Sequence, residues 1–162
     1  MMTVQRVKIF IIIIAIIEVG ACIAVAPLRA STTELIVTDY HTGLAISGFD
    51  PVAYFTEGKA AVGNPAFEAL SSGTTWRFVN EGNRDAFLAH PDVYTPAFGG
   101  YDPTGVARGI ATAGHPEVWL IVGERLYLFR NAQARAVFAA DPERYVAKAQ
   151  SQWPLVVRTL VR

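Results

Sequence analysis

The sequence predicts an α+β fold: two similar β-hairpin–helix units forming one small antiparallel-sheet domain, preceded by a single N-terminal transmembrane helix. Three observations carry this expectation. The stretch from Phe67 to Tyr94, moved fifty-one positions along the chain, falls on Val118 to Tyr145 without a gap. Phe78 lands on Phe129, Asn80 on Asn131, Arg84 on Arg135, Phe87 on Phe138, Pro91 on Pro142 and Tyr94 on Tyr145. Each copy passes from two short apolar runs joined by a Gly-containing turn to a segment with one apolar stripe, the pattern of a hairpin followed by a helix. Ahead of both lies an almost uninterrupted apolar run, Ile9 to Ala26. A single period does not make a solenoid, which needs three or more repeats. Two copies predict one domain built from similar halves.

Taken in order, the chain starts with the appendage, residues 1–30. Arg6 and Lys8 precede the apolar run, so the amino terminus is expected in the cytoplasm and the remainder across the membrane. Eighteen residues is at the short end for a spanning helix and somewhat over a signal-peptide core. The leading expectation is an uncleaved single-pass anchor in the inner (cytoplasmic) membrane with the domain in the periplasm. Two alternatives stand beside it. One is secretion after cleavage at Ala30, where Arg29 beside the cut makes a poor site. The other is a lipoprotein at Cys22, where Val19-Gly20-Ala21-Cys22 has the form of a lipobox. Glu18 is the one acid within the run. A carboxyl at that depth is costly, and such groups usually face protein or water. Gly20 and Ala24 are one turn apart and would allow close helix contact. Glu18, Gly20 and Ala24 are therefore the candidate contact with a membrane protein complex, set against a protonated Glu18 in a tolerant signal helix.

Residues 31–43 read as a short tether with an apolar patch at Leu35 to Val37. In the segment that follows, Asp50-Pro51 sets a turn and Val52 to Phe55 reads as a strand. In the first copy, Phe67 to Leu70 and Thr75 to Val79 are the expected strands around Ser71-Ser72-Gly73. In the second they are Val118 to Val122 and Leu126 to Phe129 around Gly123-Glu124-Arg125. Asn80 and Asn131 suit helix N-caps, since their side chains can accept from a free backbone N–H of the first turn. The helices are expected to stop before Pro91 and Pro142, with Tyr94 and Tyr145 packing back on the hairpins. Phe98 to Pro116, rich in glycine, joins the copies and is the place to look for a site. Trp153-Pro154 closes the core. Residues 155–162 could pair as an edge strand or touch the membrane surface.

The segment Leu44-Ala45-Ile46-Ser47-Gly48-Phe49-Asp50-Pro51-Val52-Ala53-Tyr54-Phe55 resembles the opening of the YHS-domain family, with Phe49 where relatives carry Tyr. The resemblance continues through Thr75-Trp76-Arg77-Phe78, Asn83-Arg84, Phe87, Pro91 and Tyr94. It is found again at Phe98-Gly99-Gly100-Tyr101, Gly105-Val106, Glu117-Val118-Trp119, Leu126-Tyr127-Leu128 and Trp153-Pro154. It spans residues 44–154. Relatives usually have Cys after Gly-Gly-Tyr, and here that position is Asp102. The family is associated with metals, and the exchange puts a thiol-based copper or redox role in doubt. Carboxylate oxygen suits a hard divalent ion instead.

Composition narrows the function. Net charge is zero and no basic stripe runs along the sequence, so nucleic acid is an unexpected partner. One cysteine cannot form an intramolecular disulfide or a multi-thiolate site. No nucleophile elbow, phosphate loop or dinucleotide fingerprint is present, so the expectation is non-enzymatic. The favoured reading is a membrane-tethered periplasmic YHS-like binding or accessory module, a candidate subunit of a larger membrane protein complex. The alternative is a small-ligand or hard-metal-ion binding protein using the Gly-rich loop 98–116, with a divalent metal ion as candidate cofactor. The candidate binding residues are Asp50, Tyr54, Tyr101, Asp102 and His115, and Asp102 with His115 is the candidate metal pair. For Asp50 the simpler role is an Asx turn ahead of Pro51. His90 reads as a surface helix-end residue, and His41 as exposed.

Overall fold

The computed structural model describes residues 34–160. The expected membrane helix, with Glu18, Gly20, Cys22 and Ala24, lies outside the described residues. Among the described residues no helix is long and apolar enough to cross a membrane.

The described part is α+β and built twice over. In the first half, strand β1 (Asn64–Ser71) turns into β2 (Thr74–Phe78), and in the second, β3 (His115–Val122) turns into β4 (Arg125–Phe129). Both turns have two residues, Ser72-Gly73 and Gly123-Glu124, and all four carry positive φ. That backbone twist matches the right-handed twist of the flanking strands. Both hairpins are irregular at the same place, between Asn64 and Glu68 and between His115 and Trp119. One common sheet was expected, and instead the hairpins form two separate two-stranded sheets. β2 takes one further bridge, a parallel one from Leu44 to Thr75, and side-chain packing joins the hairpins.

Helix α2 (Glu81–Ala89) follows the first hairpin and α5 (Ala132–Ala140) the second. Their N-caps are the expected asparagines. Asn80 Oδ1 accepts from the Asn83 N–H at 2.8 Å and Asn131 Oδ1 from the Ala134 N–H at 2.9 Å. Pro91 and Pro142 end these helices but start others, because proline suits the first helical position, where no N–H is needed. The short α3 (Pro91–Tyr94) has as its counterpart α6 (Pro142–Leu160), which runs nineteen residues through Pro154. The edge strand considered for residues 155–162 is thus helical as far as Leu160, and Val156 is buried.

The repeat extends further upstream than the sequence alignment suggested. A 3-10 turn at Ile46–Gly48 matches one at Ala97–Gly100, and both are bent by left-handed residues, Ser47 in one and Phe98 with Gly99 in the other. An Asp-Pro pair then opens a single helical turn in each half, α1 (Ala53–Thr56) after Asp50-Pro51 and α4 (Pro103–Val106) after Asp102-Pro103. Val52 to Phe55, expected as a strand, is therefore mostly helix. Its β-branched and aromatic residues lose to the Asp50 side chain, which holds the turn. Phe98 to Pro116 is the opening of the second copy rather than a linker between copies.

Three apolar clusters form the core. In the first half Trp76 and Phe78 pack on Phe87, with ring centroids 4.9 and 5.2 Å apart. In the second Tyr127 and Phe129 pack on Phe138 at 5.0 and 5.1 Å. The pairing of Phe78 with Phe129 therefore holds in three dimensions. The halves differ at β4. Its Tyr127 and Phe129 face α5, while Leu126 and Leu128 pack into the first half's core beside Ile46, Val52 and Trp76. A third cluster joins α4 to α6 through Val106, Ala149 and Val156, with Tyr101 against Trp153 at 6.0 Å.

Two further expectations need correction. The supposed tether is part of the domain: Ile36 is buried, the Val37 N–H donates to the Gly99 carbonyl at 2.8 Å, and Thr38 bridges to Ala45. Its apolar patch drives this docking. Tyr94 and Tyr145 are only half-buried. Tyr94 rests edge-on against Phe55 at 5.5 Å and Tyr145 lies near Phe138 at 6.2 Å.

Candidate functional site

The five candidate binding residues do not converge on one polar pocket. Four are occupied by contacts inside the domain: Asp50 and Asp102 each within its own half, Tyr54 across to the second half and Tyr101 to the N-terminal segment. Asp50 is fully buried, and its carboxylate accepts four hydrogen bonds. Oδ1 takes the N–H of Val52 at 2.8 Å and of Ala53 at 3.3 Å, which is the Asx turn expected ahead of Pro51. Oδ2 takes the Val79 N–H at 2.8 Å and the Asn83 side-chain amide at 2.7 Å. One carboxylate thus ties α1 to the end of β2 and the start of α2.

Asp102 occupies the matching place in the second half and is also fully buried. Its Oδ1 accepts from the backbone N–H and the hydroxyl of Thr104, both at 2.9 Å. Its Oδ2 receives the Arg130 N–H at 3.5 Å and lies 3.6 Å from the Arg130 Nε. Arg130 falls against Val79 in the repeat, so the same backbone contact recurs, and a guanidinium stands where the first half has the Asn83 amide.

The two tyrosines point their hydroxyls at backbone. Tyr54 donates to the Pro116 carbonyl at 2.8 Å and packs edge-on against Trp119 at 5.2 Å. Burial pushes its phenol well up from the usual tyrosine range, and the Asp50 and Glu117 carboxylates add to the shift. Tyr101 donates to the Glu34 carbonyl at 2.9 Å, and burial raises its phenol too. Its ring packs on Trp153 of α6 rather than on the hairpins. Each hydroxyl closes a long-range contact, Tyr54 to the second half and Tyr101 to the N-terminal segment.

His115 alone faces open space. It is exposed at the start of β3, and its Nδ1 accepts from the Glu117 N–H at 3.2 Å. Its ring lines a surface groove of about 530 Å³ together with Asp39, Tyr40, Phe49, Glu117 and Arg130. The N-terminal segment forms the far wall. Asp39 accepts at Oδ1 from the N–H and hydroxyl of Thr42 and from the His41 N–H. The Thr42 hydrogen bonds hold its carboxyl below the usual range.

As a metal pair, Asp102 and His115 are unlike in setting, Asp102 being fully buried and His115 exposed. The Asp102 oxygens are turned inward to Thr104 and Arg130. The His115 ring belongs to the groove outside. Among the described residues no group of three His, Cys, Asp or Glu side chains is placed to hold a metal ion. His90 caps the end of α2 and is exposed, as its place before Pro91 implied.

Basic side chains were missed. Arg108, Arg130, Arg144 and Lys148 are far apart in sequence but line a single cleft of about 380 Å³. The available signal was an i, i+4 spacing of Arg144 and Lys148. It went unread because the helix was expected to stop at Pro142.

No protein-family model matches the chain, and neither the curated proteins nor the solved structures give a match.

Proposed function

We propose that the chain is a membrane-tethered, exported binding or accessory module of the YHS-like type, without catalytic chemistry of its own, working as a subunit of a larger membrane protein complex. The observation that supports this is the use made of the motif residues. Asp50, Tyr54 and Tyr101 carry the resemblance and Asp102 departs from it, and all four side chains are spent on the chain's own backbone and neighbouring side chains. Residues employed this way build a scaffold, and a scaffold acts through its surfaces and its tether. On this reading the apolar run Ile9 to Ala26 is the anchor, with Glu18, Gly20 and Ala24 as the face that meets a partner helix.

Extraction of the full chain in mild detergent, followed by mass measurement, tests the proposal. A stable co-purifying membrane protein is expected, together with an intact mass that retains residues 1–30. Glu18→Leu should release the partner. Unchanged co-purification of that variant, or a mature mass lacking the apolar run, overturns the reading.

A second reading is favoured by the groove at His115, which could take a small ligand. Titration of a hard divalent ion against the parent chain and His115→Ala separates it from the first. Equal uptake by the two eliminates it.

A further inference from the structure

We infer that the cleft between α4, α5 and α6 is a binding site for a phosphate group. Four cations converge on it: Arg108 follows α4, Arg130 follows β4, and Arg144 and Lys148 stand one turn apart on α6. Gln133 adds a neutral amide, and no carboxylate lines the cleft.

The clustering is not a by-product of a basic chain. From residue 31 onward there are eleven basic and thirteen acidic residues, and four of the eleven line this one cavity. Like charges four apart on a helix destabilise it, and Arg144 and Lys148 stand at that spacing with two further cations opposite. Among the described residues the Arg108 and Lys148 side chains have no ion-pair partner, and Arg144 has only a 4.0 Å contact to exposed Asp141. A bound anion would relieve this repulsion.

The internal duplication shows that the fold does not require these charges. Where the second half has Arg130, Gln133 and Arg144, the first half has Val79, Gly82 and Val93. Where it has Arg108, the matching position after the Asp-Pro turn is Thr56. Lys148 lies in the part of α6 beyond the end of its short counterpart α3. The first half builds the same hairpin and helix without this cluster.

Two of the cations are held in place. Buried Asp102 fixes Arg130 through Nε at 3.6 Å, which leaves Nη1 and Nη2 without a hydrogen-bond partner among the described residues. Arg144 lies over the Tyr145 ring, 5.7 Å from its centroid. A positioned guanidinium matches phosphate oxygens two at a time. A phosphate monoester carries about −1.5 to −2 near neutral pH, which suits several cations better than a single carboxylate would. The phosphate could belong to a free phosphate compound or to a lipid headgroup. The inference is independent of the membrane-complex reading.

The test is calorimetric titration of the full chain in nanodiscs of neutral lipid with inorganic pyrophosphate at low salt. Binding is expected, weakened at least tenfold in Arg108→Ala/Lys148→Ala. Arg135→Ala, which removes a cation outside the cleft, should leave it unchanged. Repeating the titration in nanodiscs containing phosphatidylglycerol distinguishes the sources: competition by the bilayer assigns a lipid headgroup, and undiminished binding assigns a soluble phosphate. Absence of pyrophosphate binding, equal weakening in Arg135→Ala, or succinate binding as tightly as pyrophosphate would overturn the inference.

Discussion

Replacing Asp50 by alanine should unfold a large part of the margin that keeps the domain folded. The carboxylate is fully buried and accepts four hydrogen bonds. Each buried donor left without a partner costs about 1–3 kcal/mol. Val52 and Ala53 are buried, so their N–H groups lose water as well as the carboxylate. Val79 and Asn83 are half-buried, and water can partly replace the lost acceptor there. The expected total is about 3–5 kcal/mol, against a typical domain stability of about 5–15 kcal/mol. Asp102→Ala provides an internal control at the matching position. The Asp102 contact to the Arg130 N–H is long at 3.5 Å and the Arg130 side chain is 40% exposed, so the cost should be only about 1–3 kcal/mol. Urea unfolding of the full chain in mild detergent, followed by near-ultraviolet circular dichroism from buried Trp76, measures both. Asp50→Asn should fall between parent and alanine, because an amide keeps one acceptor but presents N–H groups to other donors. A loss under about 1 kcal/mol for Asp50→Ala would refute the reasoning. So would an equal or larger loss for Asp102→Ala.

Two further outcomes follow from the packing. Gly63 and Gly114 are matched positions where a Cβ would lie 2.6 Å from the Arg77 carbonyl carbon and 2.6 Å from the Gly100 oxygen, respectively. Alanine at either should cost about 2–3 kcal/mol, while Gly58→Ala, with open space around it and only a positive φ of 63° to strain it, should cost about 1 kcal/mol; thermal unfolding midpoints rank the three. Tyr54→Phe should change the alkaline limb of stability. The raised phenol stays protonated in the folded state after the unfolded chain has begun to ionise, near pH ~10. Its contribution is therefore fully present below that pH and is lost as pH rises further. The phenylalanine variant should lose less stability between neutral pH and pH ~11 than the parent, although burial-raised Tyr101 and Tyr127 keep the limb from becoming flat. A parallel decline in parent and variant, measured by urea unfolding, would refute this assignment.

Local signals were legible where the chemistry is local. The two asparagine caps, the hairpin pairs and the match of Phe78 with Phe129 needed only neighbouring residues to be read correctly. The signal failed where a side chain acts at a distance. Val52 to Phe55 has the composition of a strand, yet Asp50 Oδ1 fixes a helical turn there by accepting from the Val52 and Ala53 N–H groups, and the carboxylate is itself held in place by distant Val79 and Asn83 at Oδ2. The full extent of the repeat was hidden because the Asp-Pro pairs stand fifty-two apart and the hairpins fifty-one, so one ungapped comparison cannot align both. Residues 155–162 leave an edge strand open as a reading, but α6 runs past Pro154 to Leu160. Asp50, Tyr54, Tyr101 and Asp102 read as candidate binding residues, and in the fold their polar atoms meet backbone groups and the side chains of Asn83, Thr104 and Arg130, partners that sequence cannot show. The basic cleft assembles from four separate stretches, which only the fold brings together.

Strand β4 gives one face to each half, and this bears on how a doubled molecule of this kind can be divided. A fragment ending near Thr95 would carry its own hairpin, caps and aromatic stack but would lack the two leucines that fill its interior. Such a fragment could persist only by borrowing them from another molecule. The fusion of the two copies therefore provides more than a higher local concentration, because it makes the first copy dependent on the second. The second copy is then the one that cannot be removed without unfolding the first.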